Sequence, residues 1–251
     1  KQVFFVDADV EEPNGHLFLS SVVTKEWAFT VPIPHAIKDD CLGCGNCQDA
    51  CAFHAILAFG DQVLVFPELC HSCGACQLVC EQDALVEKPH TLGTISRWYS
   101  GGLVAVGGTL KVGEARSTPL VEAVVDIPPA DAYVVIDCPP GTSCPVMAAV
   151  RHVDLVVLVT EPTPFGLHDL RLTVKMCRAL QRPVAAIVNR ADLGDREVFE
   201  FLQRERVPIL AEIPFEEKVA RAYAAGEMAS ECSPSLRQAL KTTTDYALGL
   251  V

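Results

Sequence analysis

Eight cysteines fall within forty residues as two copies of one spacing, Cys41-x2-Cys44-x2-Cys47-x3-Cys51 and Cys70-x2-Cys73-x2-Cys76-x3-Cys80. Three thiolates so close in sequence can grip one iron–sulfide cube, and the fourth cysteine of such a run crosses to the other cube. The spacing therefore predicts one ligand set of Cys41, Cys44, Cys47 and Cys80 and another of Cys70, Cys73, Cys76 and Cys51. Gly43, Gly45 and Gly74 allow the backbone to come close to sulfide and aim amides at it. The expected cofactor is a pair of [4Fe–4S] clusters. Zinc is the alternative for four-cysteine sites, but zinc ligands usually come as paired C-x2-C units. A disulfide framework suits small secreted chains better than one of 251 residues without a signal-peptide pattern. Between the runs, residues 56–59 and 63–66 flank Gly60-Asp61 and read as a hairpin giving apolar cover.

The surroundings of this island differ from it. Residues 38–88 hold eight Asp or Glu against two Lys, so about half of the net charge of −12 sits in a fifth of the chain. That charge argues against nucleic acid and against an anionic membrane surface as partners. With half the residues apolar, a sizeable core is expected. No apolar run reaches membrane-spanning length, and a cytoplasmic location is the expectation. Residues 2–6 read as a strand ending in Asp7-Ala8-Asp9, and residues 27–34, with two prolines, as an extended edge or linker. Residues 101–113 are a glycine-rich stretch with alternating apolar positions, followed by a short helix over residues 119–125. Strands over residues 133–136, 155–159, 184–188 and 209–213 then alternate with helices over residues 166–180, 195–204, 216–225 and 234–249. Continuous apolar strands alternating with helices predict an α/β fold, a mostly parallel sheet with helices on both faces. The domain division expected is residues 1–37 with 89–251 as a nucleotide-binding domain, and 38–88 as an inserted α+β domain.

The cysteine segment resembles bacterial-type two-cluster ferredoxins, except that Ala52 and Glu81 stand where proline usually follows the fourth cysteine. Over nearly the whole chain, VDADVEEPN, VVIDCPPGTSCP, VTEPTPFGLHDL, IVNRAD and IPFEEKVARAYAAG occur in an order similar to the MinD/Mrp/nitrogenase-iron-protein class of P-loop ATPases, and in particular to MinD-like members with a ferredoxin insert. The resemblance implies catalytic roles for Asp9, as the switch aspartate that positions water and contacts the magnesium shell, and for Asp137, as the Walker B aspartate. Asp7 would support Asp9, Gly141 would lie near the γ-phosphate, Asn189 would read the adenine edge, and Pro214 would border the base. ATP and Mg²⁺ are the further cofactors implied. A glycine-rich, lysine-bearing phosphate loop is expected before the VDAD strand, yet Gly107-Gly108-Thr109-Leu110-Lys111 has neither its spacing nor its context. Truncation of the sequence, with loss of a central strand, is the expected reason, and a degenerate member of the class is the alternative.

The implied activity is ATP hydrolysis coupled to electron transfer or to iron–sulfur or metal-cofactor assembly on a partner protein. A homodimer through the nucleotide face is expected. A non-hydrolysing electron carrier that keeps the α/β domain as a docking scaffold, and a MinD-like positioning scaffold, are the alternatives. Among lesser candidates, Cys144 could serve as a ligand or redox group, while Cys138, Cys177 and Cys232 read as buried small hydrophobes. His54 and His71 adjoin the cysteine runs. Glu161 and Thr163 read as a loop-shaping pair or a helix cap, and Arg97 and Trp98 as docking contacts at the return from the insert.

Overall fold

A computed structural model of the chain describes residues 1–19, 22–37, 40–60 and 62–250. In chain order its elements are β1 (Val3–Asp7), α1 (Gly15–Phe18), β2 (Val22–Ala36), α2 (Asn46–Asp49), β3 (Ile56–Phe59), β4 (Gln62–Val65), α3 (Ala75–Leu78), β5 (Leu85–Ser100), β6 (Leu103–Leu110) and α4 (Thr118–Val125). Then follow β7 (Tyr133–Asp137), α5 (Cys144–Val150), β8 (Val156–Thr160), α6 (Pro164–Ala179), β9 (Val184–Asn189), α7 (Glu197–Arg204), β10 (Ile209–Ile213), α8 (Glu217–Ala224), α9 (Ala229–Cys232) and α10 (Pro234–Leu248). The strands make a five-stranded sheet, β2-β5-β6-β1-β7, a three-stranded sheet, β10-β9-β8, and the β3–β4 hairpin. The fold is thus α/β, with mixed, mostly parallel sheets and flanking helices, plus a small α+β insert.

By contacts the chain divides into two compact units. One comprises Lys1–Val6, Val10–Pro13 and Val22–Val134, the other Asp7–Asp9, Asn14–Ser21 and Val135–Val251. The first is organised by a ribbon longer than the sequence reading allows for. β2 and β5 pair antiparallel from Val22↔Tyr99 to Ala36↔Leu85, and β5 pairs antiparallel with β6. The insert begins and ends at the Ala36/Leu85 tip of this ribbon. Pro32 and Pro34 are compatible with β2 because it is the edge strand, where a missing amide costs no ladder bond. Strands β5 and β6 are hidden in the sequence by Gly93, Gly107 and Gly108. Small residues are needed there because Leu120 of α4 packs onto Gly93 and Gly108, leaving no room for side chains. Trp98 is buried in β5 and belongs to the core.

In the second unit, β8, β9 and β10 run parallel, as their apolar runs predict. Leu158, Ala186 and Val188 from the sheet pack with Leu167, Leu170 and Val174 of α6 and with Val198, Phe201 and Leu202 of α7. The N-terminus of α6 is capped by Thr163, whose Oγ1 accepts from the Gly166 amide at 3.0 Å, so the cap reading of Thr163 holds. The sheets end at β7 and β8. Val135 on β7 is 60% exposed and Val159 on β8 is 67% exposed, although both belong to continuous apolar runs. Among the described residues, no helix is long and apolar enough to cross a membrane.

Candidate functional site

Both cysteine runs fold by the same local device. Gly45 and Gly74 adopt left-handed φ of 82° and 75° and start the one-turn helices α2 and α3. The turn sets Cys47 and Cys76 inward, where they pack with Ile56 and Leu85. Burial raises both thiols above the ordinary cysteine range, because the hairpin and ribbon tip exclude water from the thiolate. The amides of Ala55 and Ser72 donate to Cys51 Sγ and Cys70 Sγ at 3.3 and 3.4 Å. The β3–β4 hairpin pairs Ile56↔Val65 through Phe59↔Gln62, as the sequence predicts.

The cysteines line two cavities in the crossed arrangement. One is lined by Cys51, Cys70, Cys73 and Cys76, and by Phe53 and His71, whose rings stack with centroids 3.7 Å apart. The other is lined by Cys41, Cys44, Cys47 and Cys80 together with Val63 and Leu85. The cofactor expectation is nevertheless corrected. Among the described residues, no three His, Cys, Asp or Glu side chains gather into a group able to hold a metal ion. Among the described residues, neither the cysteines nor the carboxylates considered next form such a group. Two [4Fe–4S] clusters with ATP and Mg²⁺ therefore do not stand as the cofactor content. What the segment retains is the potential to bind iron–sulfur.

In the second unit, Asp7 and Asp137 end β1 and β7, and Asp9 follows two residues after Asp7. The Ala8 amide donates to Asp137 O at 2.9 Å, which holds the two strand ends together. Asp7 is 1% exposed. Its Oδ2 accepts from the Gly15 amide at 2.9 Å, while its buried Oδ1 has no hydrogen-bond partner. Burial raises the Asp7 pKa, with the Asp9 charge adding to it, and Asp137 is raised by burial and then by Asp7 and Asp9. Three carboxylates thus share one field at the strand ends. Gly141 lies in the following loop with φ of 89°.

The sign of the Asp7 shift has a consequence. A carboxyl whose folded pKa is raised above 3.8 favours the folded state when protonated, so stability falls as pH rises past that value. Asp7→Asn keeps an acceptor for Gly15 and replaces the orphaned oxygen by a donor facing the neighbouring carboxylates. It is expected to raise stability at pH 7 by about 1–3 kcal/mol and to flatten the loss between pH 4 and 7, measured by denaturant titration. Unchanged stability at pH 7 would show that Asp7 is not buried as an unpaired carboxylate.

The ends of β9 and β10 bring the other nucleotide-side candidates together. Asn189 pairs with Ile213 in the parallel register, so Pro214 follows directly beside it. Sequence reasoning missed what surrounds them. The Phe215 amide donates to Asp192 Oδ1 at 2.7 Å, the Arg190 guanidinium lies 5.7 Å from the Phe215 ring, and Arg190 pairs with Glu161 at 3.4 Å. Of the lone cysteines, Cys177 is fully buried, whereas Cys138 and Cys232 are only half-buried, which corrects their reading as buried hydrophobes. Cys144 is exposed at the start of α5, and burial pushes the Cys138 thiol up to about 11. Also missed was the trio His90, Glu114 and Arg116. Its members are apolar-face neighbours of nothing in sequence, and no spacing rule marks them.

The arrangement is the fold of MinD- and ParA-like ATPases, with a segment similar to an iron–sulfur domain inserted into it. Residues 124–247 match the family described as ParA, NUBPL iron-transfer P-loop NTPase, and residues 34–81 match the 4Fe-4S dicluster domain. In Methanocaldococcus jannaschii, the uncharacterized protein MJ0579 is 26% identical over 233 residues, covering 88% of this chain and 78% of that protein. The uncharacterized protein MJ0578 of the same organism is 37% identical over 174 residues, 66% of this chain and 60% of that protein. Among solved structures, the cell division ATPase MinD of Pyrococcus furiosus superposes with a TM-score of 0.54 at 17% identity, covering 98% of this chain and 86% of that one. A ParA family ATPase from Chlorobium tepidum gives 0.53 at 16% identity, covering 98% and 84%. These structures agree in fold.

Proposed function

We propose that this chain is a nucleotide-dependent iron–sulfur protein in which ATP binding and hydrolysis are coupled to electron transfer or to metal-cofactor assembly on a partner protein. The observation that carries the reading is the sorting of eight cysteines into two crossed sets, on a ribbon rooted in a MinD/ParA-like fold. Cys41, Cys44, Cys47 and Cys80, and Cys51, Cys70, Cys73 and Cys76, are the thiolate donors of the iron–sulfur module. Such a module supplies one-electron chemistry. Residues 38–88 form the insert, and residues 1–37 with 89–251 the nucleotide-binding part. Asp9 and Asp137 are the reacting-side carboxylates, Asp7 holds the strand end, Gly141 lies on the phosphate side, and Asn189 with Pro214 borders the base. A homodimer through the carboxylate face and a cytoplasmic setting complete the reading.

A non-hydrolysing electron carrier that keeps the α/β domain as a docking scaffold is the second reading. Two measurements on the anaerobically purified chain decide between them. Iron and acid-labile sulfide are expected together, both lost in Cys51→Ser combined with Cys80→Ser; zinc without sulfide would overturn the iron–sulfur assignment. ATP hydrolysis that Asp137→Asn abolishes supports the coupled reading, and iron–sulfur content with no nucleotide binding leaves the carrier.

A further inference from the structure

The chain between β6 and α4 is tied down at both ends. At its start, the Leu110 amide donates to Val10 O at 2.8 Å, one residue past Asp9, and the Lys111 amide donates to Leu92 O at 2.8 Å. At its end lies a buried fork. Arg116 Nε donates to Glu114 Oε1 at 2.8 Å and Nη2 to Glu114 Oε2 at 2.7 Å, with the two side chains 10% and 6% exposed. Glu114 Oε1 also accepts from the amides of Ala115 and Arg116, and His90 Nε2 stands 3.4 Å from Oε2. The Arg116 guanidinium, helped by the Arg116 amide and His90 and opposed by burial, holds the Glu114 carboxyl down at about 2, so it stays ionised and clamped. The remaining guanidinium edge is aimed elsewhere. Arg116 Nη1 donates to Cys70 O at 2.6 Å, across 46 residues of sequence.

The geometry points to Arg116 as a positioning residue that relays displacement of the Asp9–Val10 loop to the Cys70 wall of the cavity lined by Cys51, Cys70, Cys73 and Cys76. Residues 110–116 are the link. Seven residues with a turn, Glu114 N to Lys111 O, and a fork-on-fork charge pair form a short, stiff span between two backbone carbonyls, Val10 O and Cys70 O. A planar guanidinium held on two edges can move only as a body with its carboxylate. A shift of Val10 therefore pulls or releases the Cys70 carbonyl, and with it the Cys70 sulfur that accepts from the Ser72 amide. The relay deepens the proposed function, since it gives the carboxylate site a physical route to one cysteine set. It stands on contacts within the first unit and needs no ligand to be examined.

The test is a double-mutant cycle on the full chain in its reduced, metal-free form, read by maleimide labelling of each cysteine. Val10→Ala keeps the carbonyl but removes the buried side chain that lies against Gly108, which frees the start of the link to shift, and Arg116→Lys keeps the charge but loses the fork. Arg116→Lys alone is expected to raise labelling of Cys70 by roughly tenfold, the weight of one charge-assisted hydrogen bond, with Cys41 and Cys44 unchanged. Val10→Ala is expected to raise Cys70 labelling in the parent and not in the Arg116→Lys background. Additive effects, or a Val10→Ala variant silent at Cys70, would overturn the relay. Cys177, fully buried in the second unit, reports any global unfolding, and Glu114→Gln releases the same guanidinium through a second variant. ATP added to the parent separates the two claims. A labelling change at Cys70 that Arg116→Lys removes supports both, whereas a non-additive cycle without any response to ATP leaves the relay standing and sinks the nucleotide coupling.

Discussion

Gly93→Ala is expected to destabilise the first unit by about 3–5 kcal/mol. A Cβ at Gly93 would lie 2.3 Å from Thr109 O of β6 and 2.9 Å from Leu120 Cδ2 of α4. The carbonyl is backbone in the neighbouring strand, so relief requires separating β5 from β6 where Gly93 pairs with Leu110. The register shift between β2 and β5 also falls here, between Phe29 and Thr30, so the sheet has no slack to lend. Gly108→Ala is the control. Its Cβ would meet the side chains of Val10 and Leu120, at 2.7 and 3.0 Å, which can yield by changing rotamer, and a cost of about 1–2 kcal/mol is expected. Both tryptophans, Trp27 and Trp98, lie on the β2–β5 ribbon, so their fluorescence follows this unit during urea unfolding. Equal costs for the two variants would show that β5 and β6 are not as close as described. Because β5 runs on to Leu85 in the wall of a cysteine cavity, Gly93→Ala should also expose Cys47 and Cys80 to labelling.

The contrast between Gly93 and the cysteines explains what the sequence can carry. Cysteine spacing is local, and the crossed pairing follows from how three near thiols must turn inward. Cys80 lines the cavity of the first run, and Cys51 that of the second. The same spacing does not settle cofactor content, which depends on sub-ångström convergence of sulfur atoms that no spacing encodes. Strands β8, β9 and β10 were legible because Val156–Thr160, Val184–Asn189 and Ile209–Ile213 are apolar runs between amphipathic helices. Strands β5 and β6 were not, since their glycines answer to Leu120, a tertiary neighbour. Arg116 was illegible for the same reason. Its acceptor, Cys70 O, is a backbone atom 46 residues earlier, and a carbonyl leaves no trace in residue type.

The carboxylate end of the molecule shows the same division. Asp7, Asp9 and Asp137 were legible as strand-terminal acids, and the structure places them in one another's field. Their energetic cost was not. A buried Asp7 with one unpartnered oxygen is a strain that only another ligand or a proton can relieve.

The second large effect belongs to the loop that follows β9. Gly194→Ala is expected to cost about 3–4 kcal/mol in the second unit. Gly194 has φ of +75°, and a Cβ there would lie 1.7 Å from Pro162 O, a distance no rotamer change relieves. The loop must then retreat from Pro162. It cannot do so alone, because Arg190 also sits at positive φ and accepts from the Leu193 amide at 2.9 Å, and Asp192 holds the Phe215 amide. Retreat therefore breaks the Asp192–Phe215 hydrogen bond and draws Arg190 away from Glu161 and the Phe215 ring. The second unit contains no tryptophan, so hydrogen exchange is the measurement. Faster exchange is expected at Phe215 and across β9 and β10, with the β2–β5 ribbon unchanged. Gly194→Asn separates the two causes, since asparagine tolerates left-handed φ but carries the same Cβ. It should fail as alanine does; recovery with asparagine would mean that backbone strain, and not the approach of Pro162, fixes the loop that carries Asp192.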